Sequence, residues 1–262
     1  MLTNSCVTVK LLTLARDLQR RKAREKHQRF VAEGIRTVEA LFDSPLQVVG
    51  LLVTASFGAE PRAGALLARA SFFGLDVREV SDSEFASAAD TDTPQGVLAV
   101  GEIPQRTLEP PPAVARLLVL DALQDPGNVG TVIRTAAALG VTATLALPGT
   151  VDLWNAKVVR STMGALFTHS ALACSVDMLA SMLRAYDVVC WAADTGGIDV
   201  SDVVGAELPV RLALMVSNEG AGLSAEVVPM VAKRVAICMS PGVESLNVAV
   251  ATGILLHALR PV

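Results

Sequence analysis

Three segments of this sequence hold the polar side chains from which chemistry could be built. The first, Asp121-Ala122-Leu123-Gln124-Asp125-Pro126-Gly127-Asn128, follows an apolar stretch and leads into Val129, Val132, Ile133, Ala136, Ala137 and Gly140, which recur at helical spacing. That recurrence predicts a helix over 129–139 with one buried stripe. Arg134 falls on the other side, beside Gly130, Thr131, Thr135 and Ala138 and without an acidic neighbour. In an ordinary helix Asn128 would be the N-cap and Arg134 a solvated charge. A lone guanidinium among small residues also suits a ligand or a second subunit, because small neighbours let a phosphate-bearing chain come close.

The second segment, Met215-Val216-Ser217-Asn218-Glu219-Gly220-Ala221-Gly222-Leu223-Ser224, also follows a strand-like run. Its Gly220-Ala221-Gly222-Leu223-Ser224-Ala225 matches the relaxed dinucleotide fingerprint G-x-G-x-x-[G/A], which makes a nucleotide-dependent oxidoreductase one reading. The context opposes it. Pro229 arrives seven residues after Gly222, where a long crossover helix is required, and the next strand ends in Ile237-Cys238-Met239 without a ribose-binding acid. Glu219, flanked by small residues, reads instead as a side chain held at an exposed turn.

The third segment runs from Ile237 to Ala251. Ser245 can cap a final helix, predicted over 246–259, that Leu246, Val248, Val250, Ile254, Leu255 and Leu256 make apolar nearly all round. Asn247, in its first turn, is the exception. A structural hydrogen bond is the commoner reason for such an asparagine than a ligand contact.

A repeating chain of strands and helices would bring these segments together. Strands at 116–121, 142–147, 187–192, 211–216 and 235–239, interleaved with helices at 129–139, 154–163, 176–185 and 246–259, predict a mostly parallel α/β sheet. Ligands in such folds bind beyond the carboxyl ends of the strands, which is where the three segments lie. Upstream, helices at 34–42 and 62–73 with strands at 48–53, 76–80 and 96–100 predict a small α/β domain. Pro104 and the run Pro110-Pro111-Pro112 favour an extended connector. The expected division is a domain over 1–106, a linker over 107–114 and a second domain over 115–262.

The chain has 262 residues, 52% of them hydrophobic, enough for two ordinary cores. Mean hydropathy is +0.48, yet no stretch reaches the roughly 18 apolar residues of a bilayer span. The most apolar, 245–259, includes Asn247, Thr252 and His257. The four cysteines form no C-x-x-C pair and the three histidines cluster with neither them nor each other, so no metal site is expected. Free thiols suit a reducing compartment, and a cytoplasmic location follows. Net charge is -4, but residues 1–36 carry nine basic side chains against three acidic ones. Leu11, Leu12, Leu14, Ala15 and Leu18 interleave with them at helical spacing. Such a basic helix points to a polyanion, the alternatives being a solvated helix face or a targeting peptide.

In this order and spacing, N-x-x-x-x-x-R (Asn128, Arg134), N-E-G-x-G-L-S (218–224) and I-x-M-x-x-x-x-E-S-L-N-V-x-V-A (237–251) resemble the SpoU (TrmH-like) family of RNA ribose 2′-O-methyltransferases, within the SPOUT superfamily. Upstream, Phe30-Val31-Ala32-Glu33-Gly34-Ile35-Arg36 and Thr93-Pro94-Gln95-Gly96-Val97-Leu98-Ala99-Val100 resemble the ribosomal-protein-like substrate-binding domain that precedes the catalytic domain in many members. The resemblance covers nearly the whole chain. It implies a SPOUT-type, mostly parallel sheet with a C-terminal trefoil knot, an exception to the near absence of knots in proteins. It also implies a homodimer that holds S-adenosylmethionine in the knot and acts on RNA, ribosomal RNA more than tRNA.

Carried over residue by residue, the resemblance places Ala193, Ser217, Ile237 and Leu246 in the cofactor pocket and makes Asn128, Arg134, Glu219, Ser245 and Asn247 the functional polar set. Ser217 stands where the family usually has glycine, and Cys238 where it usually has proline. An extended backbone is expected at Ser217, with its hydroxyl bonded to the cofactor or a neighbouring loop. The family's base is held to be the arginine, here Arg134. A guanidinium with a pKa above about 12 is almost never neutral, and phosphate clamping or stabilisation of the developing alkoxide is the other role open to it. The alternative to an enzyme is a non-catalytic RNA-binding relative of the same fold.

Overall fold

The computed structural model describes residues 3–204, 208–218, 220 and 222–260, with side chains from Lys10 onward, Val204 excepted. It divides into two compact units. One joins the residues up to Gln105 with Trp154–Thr168; the other joins Arg106–Leu153 with the residues from His169 onward.

The first unit is built on a four-stranded sheet of order β1-β4-β2-β3. Its strands are β1 (Arg29–Glu33), β2 (Val48–Val53), β3 (Asp76–Glu79) and β4 (Val97–Glu102). β4 pairs antiparallel with both β1 and β2, and β2 pairs parallel with β3. One core cluster places Leu11, Leu12, Ala15 and Leu18 against Val31, Leu52, Leu98 and Val100. The leucines at helical spacing in the basic segment are therefore core residues of this unit. That segment is two helices, Thr3–Asp17 and Arg21–His27, not one. Arg24 is buried at the junction and donates from Nη1 to the carbonyls of Leu18 and Gln19, at 2.7 and 2.9 Å, satisfying acceptors left at the first helix's end.

Phe30 of β1 stacks on Trp154 and Phe167, with centroids 4.6 and 5.6 Å away. Gly101 makes room for this ring, since a Cβ there would lie 2.6 Å from Phe30 Cζ. The segment carrying both partners forms two short helices: Ala156–Ser161, within the helix expected over 154–163, and Ala165–Thr168, which has no counterpart among the expected helices. Met163 and Gly164 both take positive φ between them. At Gly164 a Cβ would come 2.5 Å from that of Ala40, so glycine lets the bend pack against the helix Ile35–Phe42.

The second unit is a six-stranded sheet of order β10-β8-β9-β5-β6-β7, with every pairing parallel. Its strands are β5 (Ala115–Asp121), β6 (Ala143–Ala146), β7 (Ala171–Ala173), β8 (Val189–Asp199), β9 (Arg211–Ser217) and β10 (Lys233–Ala236). All seven residues of β5 are buried, as a central parallel strand covered on both faces requires. β7, only three residues long, has no counterpart among the expected strands. Arg116 is buried at the start of β5, where it donates to the carbonyls of Leu259 (2.6 Å) and Pro209 (3.0 Å), fastening the end of the last helix, Val248–Ala258. Among the described residues no helix is long and apolar enough to cross a membrane.

Candidate active site at the carboxyl ends of the parallel strands

The site grows from the residues that follow β5. Asp125, not Asn128, caps the helix Pro126–Ala138: its carboxylate accepts from the N–H of Asn128 at 2.7 Å, and Pro126 occupies the first turn. The expected cap at Asn128 is thus corrected, and its side chain is released for another task. Asn247 Nδ2 donates to Asn128 Oδ1 at 3.0 Å. The same Asn247 caps the last helix through Oδ1, which accepts from the N–H groups of Ala249 (2.9 Å) and Val250 (3.4 Å). Ser245 does not have the capping role its position suggests, because the helix starts at Val248.

Asp121, at the end of β5, has its carboxylate buried. It accepts from the N–H of Ser224 at 2.7 Å and from its hydroxyl at 3.0 Å, so the far end of the second segment is tied to the middle of the sheet. The near end closes on itself. Asn218 accepts at Oδ1 from Gly220 N–H (3.1 Å) and at its carbonyl from Gly222 N–H (3.0 Å), with Gly222 at φ +67°. Asp121 was not among the expected functional residues. Its signal was present, however: a lone carboxylate ending an otherwise apolar strand. Glu219 lies outside the described residues.

The second and third segments, with the end of β8, enclose a cavity of about 210 Å³. Ala193, Ser217, Ile237 and Leu246 line it, and so do Ser245 and Asn218. Its β8 wall comes from a departure in register: Arg234 pairs with Ala192 but Val235 with Ile198, so 193–197 bulge out of the ladder. Gly197 permits this, because a Cβ there would lie 2.6 Å from the backbone of Arg234. Asp194 in the bulge accepts from Gly196 N–H (2.9 Å) and pairs with Arg234 at 2.5 Å. Ser217 is the last residue of β9, in register with Asp121, and its φ is not positive. Its hydroxyl has no hydrogen-bond partner among the described residues.

Between Ile237 and Asn247, the one backbone–backbone hydrogen bond among the described residues joins Val243 N–H to the Ser240 carbonyl at 3.2 Å. Such a loop leaves peptide groups to be satisfied by water or by a ligand's polar edge. The floor beside it is apolar, with Val216, Val235 and Leu255. An apolar floor edged by peptide groups and hydroxyls is what an adenosine ring and ribose require.

Arg134 stands apart from this cavity. It is exposed on the helix Pro126–Ala138 and forms no ion pair or hydrogen bond with the described residues. Titratable groups with large shifts are elsewhere too. Burial pushes the Cys190 thiol up to about 12 and that of Cys174 to about 11. Burial, and then the charge of Arg106, bring His169 down to about 4. No histidine or cysteine lines the cavity among the described residues, nor do any three His, Cys, Asp or Glu there form a group able to hold a metal. The arrangement can orient reactants, and its one described carboxylate, Asp194, is engaged by Arg234.

Residues 115–257 match the SpoU rRNA Methylase family, and residues 9–99 match the MRM3-like substrate binding domain. The chain belongs to the SpoU rRNA methylase family. Within it, this chain is 35% identical over 245 residues to the 23S rRNA (guanosine(2553)-2'-O)-methyltransferase RlmP of Bacillus subtilis (strain 168), covering 93% of each. The AdoMet-bound rRNA methyltransferase from Sinorhizobium meliloti has a similar structure, with a TM-score of 0.80, 28% identity and coverage of 95% of this chain and 94% of that one. An RNA methyltransferase of the TrmH family from Porphyromonas gingivalis, described as putative, gives a TM-score of 0.79 and 31% identity, covering 95% and 96%. The SpoU match takes in all three segments of the site, Asn128 and Asn247 included.

Proposed function

We propose that this SpoU family chain is an RNA ribose 2′-O-methyltransferase that uses S-adenosylmethionine and acts on ribosomal RNA. One observation carries the reading: the second and third segments line a single cavity and the first is bonded to them through Asn128–Asn247 and Asp121–Ser224, in a chain 35% identical over nearly its whole length to a 23S rRNA 2'-O-methyltransferase. Bound S-adenosylmethionine supplies an electrophilic methyl group on a sulfonium. Its transfer would exchange the carbon–sulfur bond for a carbon–oxygen bond at the ribose 2′-oxygen, leaving S-adenosylhomocysteine and the hydroxyl proton.

The chain's own residues supply position and field. Ala193, Ser217, Ile237 and Leu246 hold the cofactor, the peptide groups of the last loop meeting its polar edges. Asn128 and Asn247, fixed to each other, orient the ribose, and Ser245 assists from the loop before the last helix; Glu219, outside the described residues, joins them on the resemblance alone. Such alignment of nucleophile and methyl carbon contributes much of the rate in a displacement reaction. Arg134, with no partner among the described residues, is available to clamp a phosphate and to stabilise the 2′-oxygen as it loses its proton. The 2′-hydroxyl requirement restricts the substrate to RNA.

The working unit is a homodimer. Val250 and Ile254, one turn apart on the last helix, are 53% and 41% exposed, and an apolar pair beside the site suits a second copy. Incubation with labelled S-adenosylmethionine and RNA from a strain lacking the gene tests the whole reading. Label is expected in ribosomal RNA; label confined to tRNA would reassign the substrate, and none in any RNA would refute the activity.

A further inference from the structure

Two carboxylates are buried among the described residues, and they are compensated differently. Glu33, in the first unit, has the Arg160 guanidinium at 3.8 Å. Asp121, at the carboxyl end of β5, is 2% exposed and forms no ion pair with any described residue. Its carboxylate meets only the N–H and the hydroxyl of Ser224 among them. Burying an ion without a counter-charge is unfavourable, which is why buried charges are as a rule paired. Asp121 is the exception in this chain.

The place of this carboxylate says what kind of cation would complete it. Asp121 is in register with Ser217 of the neighbouring strand, so the two lie one strand spacing apart, about 4.8 Å. Ser217 lines the cavity at the carboxyl ends of the strands, and so does Leu223, the neighbour of Ser224. The negative charge therefore stands beside the cavity wall. No lysine, arginine or histidine lines that cavity among the described residues. The one charged residue that does, Asp194, is paired with Arg234 at 2.5 Å. An uncompensated negative charge next to an otherwise neutral cavity favours a ligand of net positive charge, because attraction in a site with little water acts across several ångströms.

We propose that Asp121 is a specificity-determining residue of the cofactor site, whose charge makes the cavity select cationic S-adenosylmethionine over its neutral product, S-adenosylhomocysteine. The proposal rests on the methyltransferase reading and deepens it. With a sulfonium and an ammonium against one carboxylate, the cofactor carries a net positive charge; the product, a thioether, carries none. Asp121 is not among the residues that line the cavity, so it acts through its field and not through contact. The consequence is exchange. Once the methyl group has been transferred the attraction is gone, and the product yields its place to fresh cofactor.

Calorimetry on the full chain tests this with three ligands of similar outline: S-adenosylmethionine, S-adenosylhomocysteine, and sinefungin, in which a protonated amine replaces the sulfonium. Wild type is expected to hold both cationic ligands about tenfold more tightly than the neutral one, the order of one charge interaction across a partly screened site. Asp121→Asn keeps the shape of the side chain, and its amide can still bond Ser224. It is expected to lose most of that preference, with affinity for S-adenosylhomocysteine changed by less than about twofold. A loss shared equally by all three ligands would mean that the carboxylate only holds the 218–224 turn in place, and an unchanged preference would mean that its charge is not felt. Either result overturns the proposal. If the variant does not fold, wild type decides: S-adenosylhomocysteine bound as tightly as the two cations would overturn it. A wild type that binds none of the three would refute the S-adenosylmethionine reading together with the proposal, whereas one that methylates RNA and shows no preference would leave that reading standing and remove the proposal alone.

Discussion

Asn247 Nδ2 and Asn128 Oδ1 meet at 3.0 Å although the two residues are 119 positions apart. The contact joins the starts of two helices, and Asn247 uses its other polar atom to cap one of them. One side chain thus sets both the stability of the last helix and the geometry of the loop beneath the cavity.

Asn247→Ala should therefore fail twice, losing about 1 kcal/mol of stability with the cap, or roughly 2–4 °C in Tm, along with most methyl transfer. Asn247→Asp separates the effects, because a carboxylate still caps but cannot donate to Asn128. It is expected to keep its Tm and lose turnover. An Asp variant as active as wild type would show that the contact with Asn128 has no catalytic weight.

Arg134→Ala is expected to reduce turnover on the order of 10²-fold or more without weakening S-adenosylmethionine binding, since the charge acts on the developing alkoxide. Arg134→Lys discriminates between roles. Substantial rescue means a simple electrostatic contact, and no rescue a need for the guanidinium fork. Near-normal methylation by the Ala variant would remove Arg134 from the mechanism.

Ser217 takes an ordinary extended backbone at the end of β9, so no conformational demand for glycine exists there. Ser217→Gly should bind S-adenosylmethionine as well as or better than the parent by calorimetry. A large loss of affinity would make the hydroxyl a required contact.

His169 gives a pH signature unrelated to catalysis. It is buried, bonded through Nε2 to Thr144 Oγ1 at 2.8 Å, and held neutral down to about pH 4. The folded state thus binds fewer protons than the unfolded one between about pH 6.5 and 4. Stability is full above that window and falls as pH drops through it, by at most on the order of 3 kcal/mol. Urea unfolding of wild type and His169→Gln should show the variant's deficit at pH 7 shrinking toward pH 4. A deficit constant with pH would contradict the buried neutral imidazole.

The architecture of the second unit was legible because its strands are apolar runs that end in polar loops, as β5 does at Asp121. The caps were misplaced by two or three residues although a signal was available: Pro126 after Asp125 is the pattern of an N-cap followed by proline in the first turn. Other features depend on contacts between segments distant in sequence. The bulge at 193–197 exists because Gly197 lets β10 approach; Gly196-Gly197 marks a break locally, but the strand that approaches there is set by residues about 37 positions later. The joining of Trp154–Thr168 to the first unit rests on two rings that meet Phe30, more than 120 positions earlier. Hydrophobic spacing records that these residues are buried and not against what.

The central claim is that a ribose 2′-hydroxyl of ribosomal RNA receives the methyl group. Alkaline hydrolysis tests it directly, because cleavage at each nucleotide requires a free 2′-oxygen to attack the adjacent phosphate. After incubation with the chain and S-adenosylmethionine, one ribosomal RNA position is expected to resist cleavage, and the same RNA treated with Arg134→Ala to be cleaved there. Methyl label incorporated with no alkali-resistant position would place the methyl on a base and contradict the account.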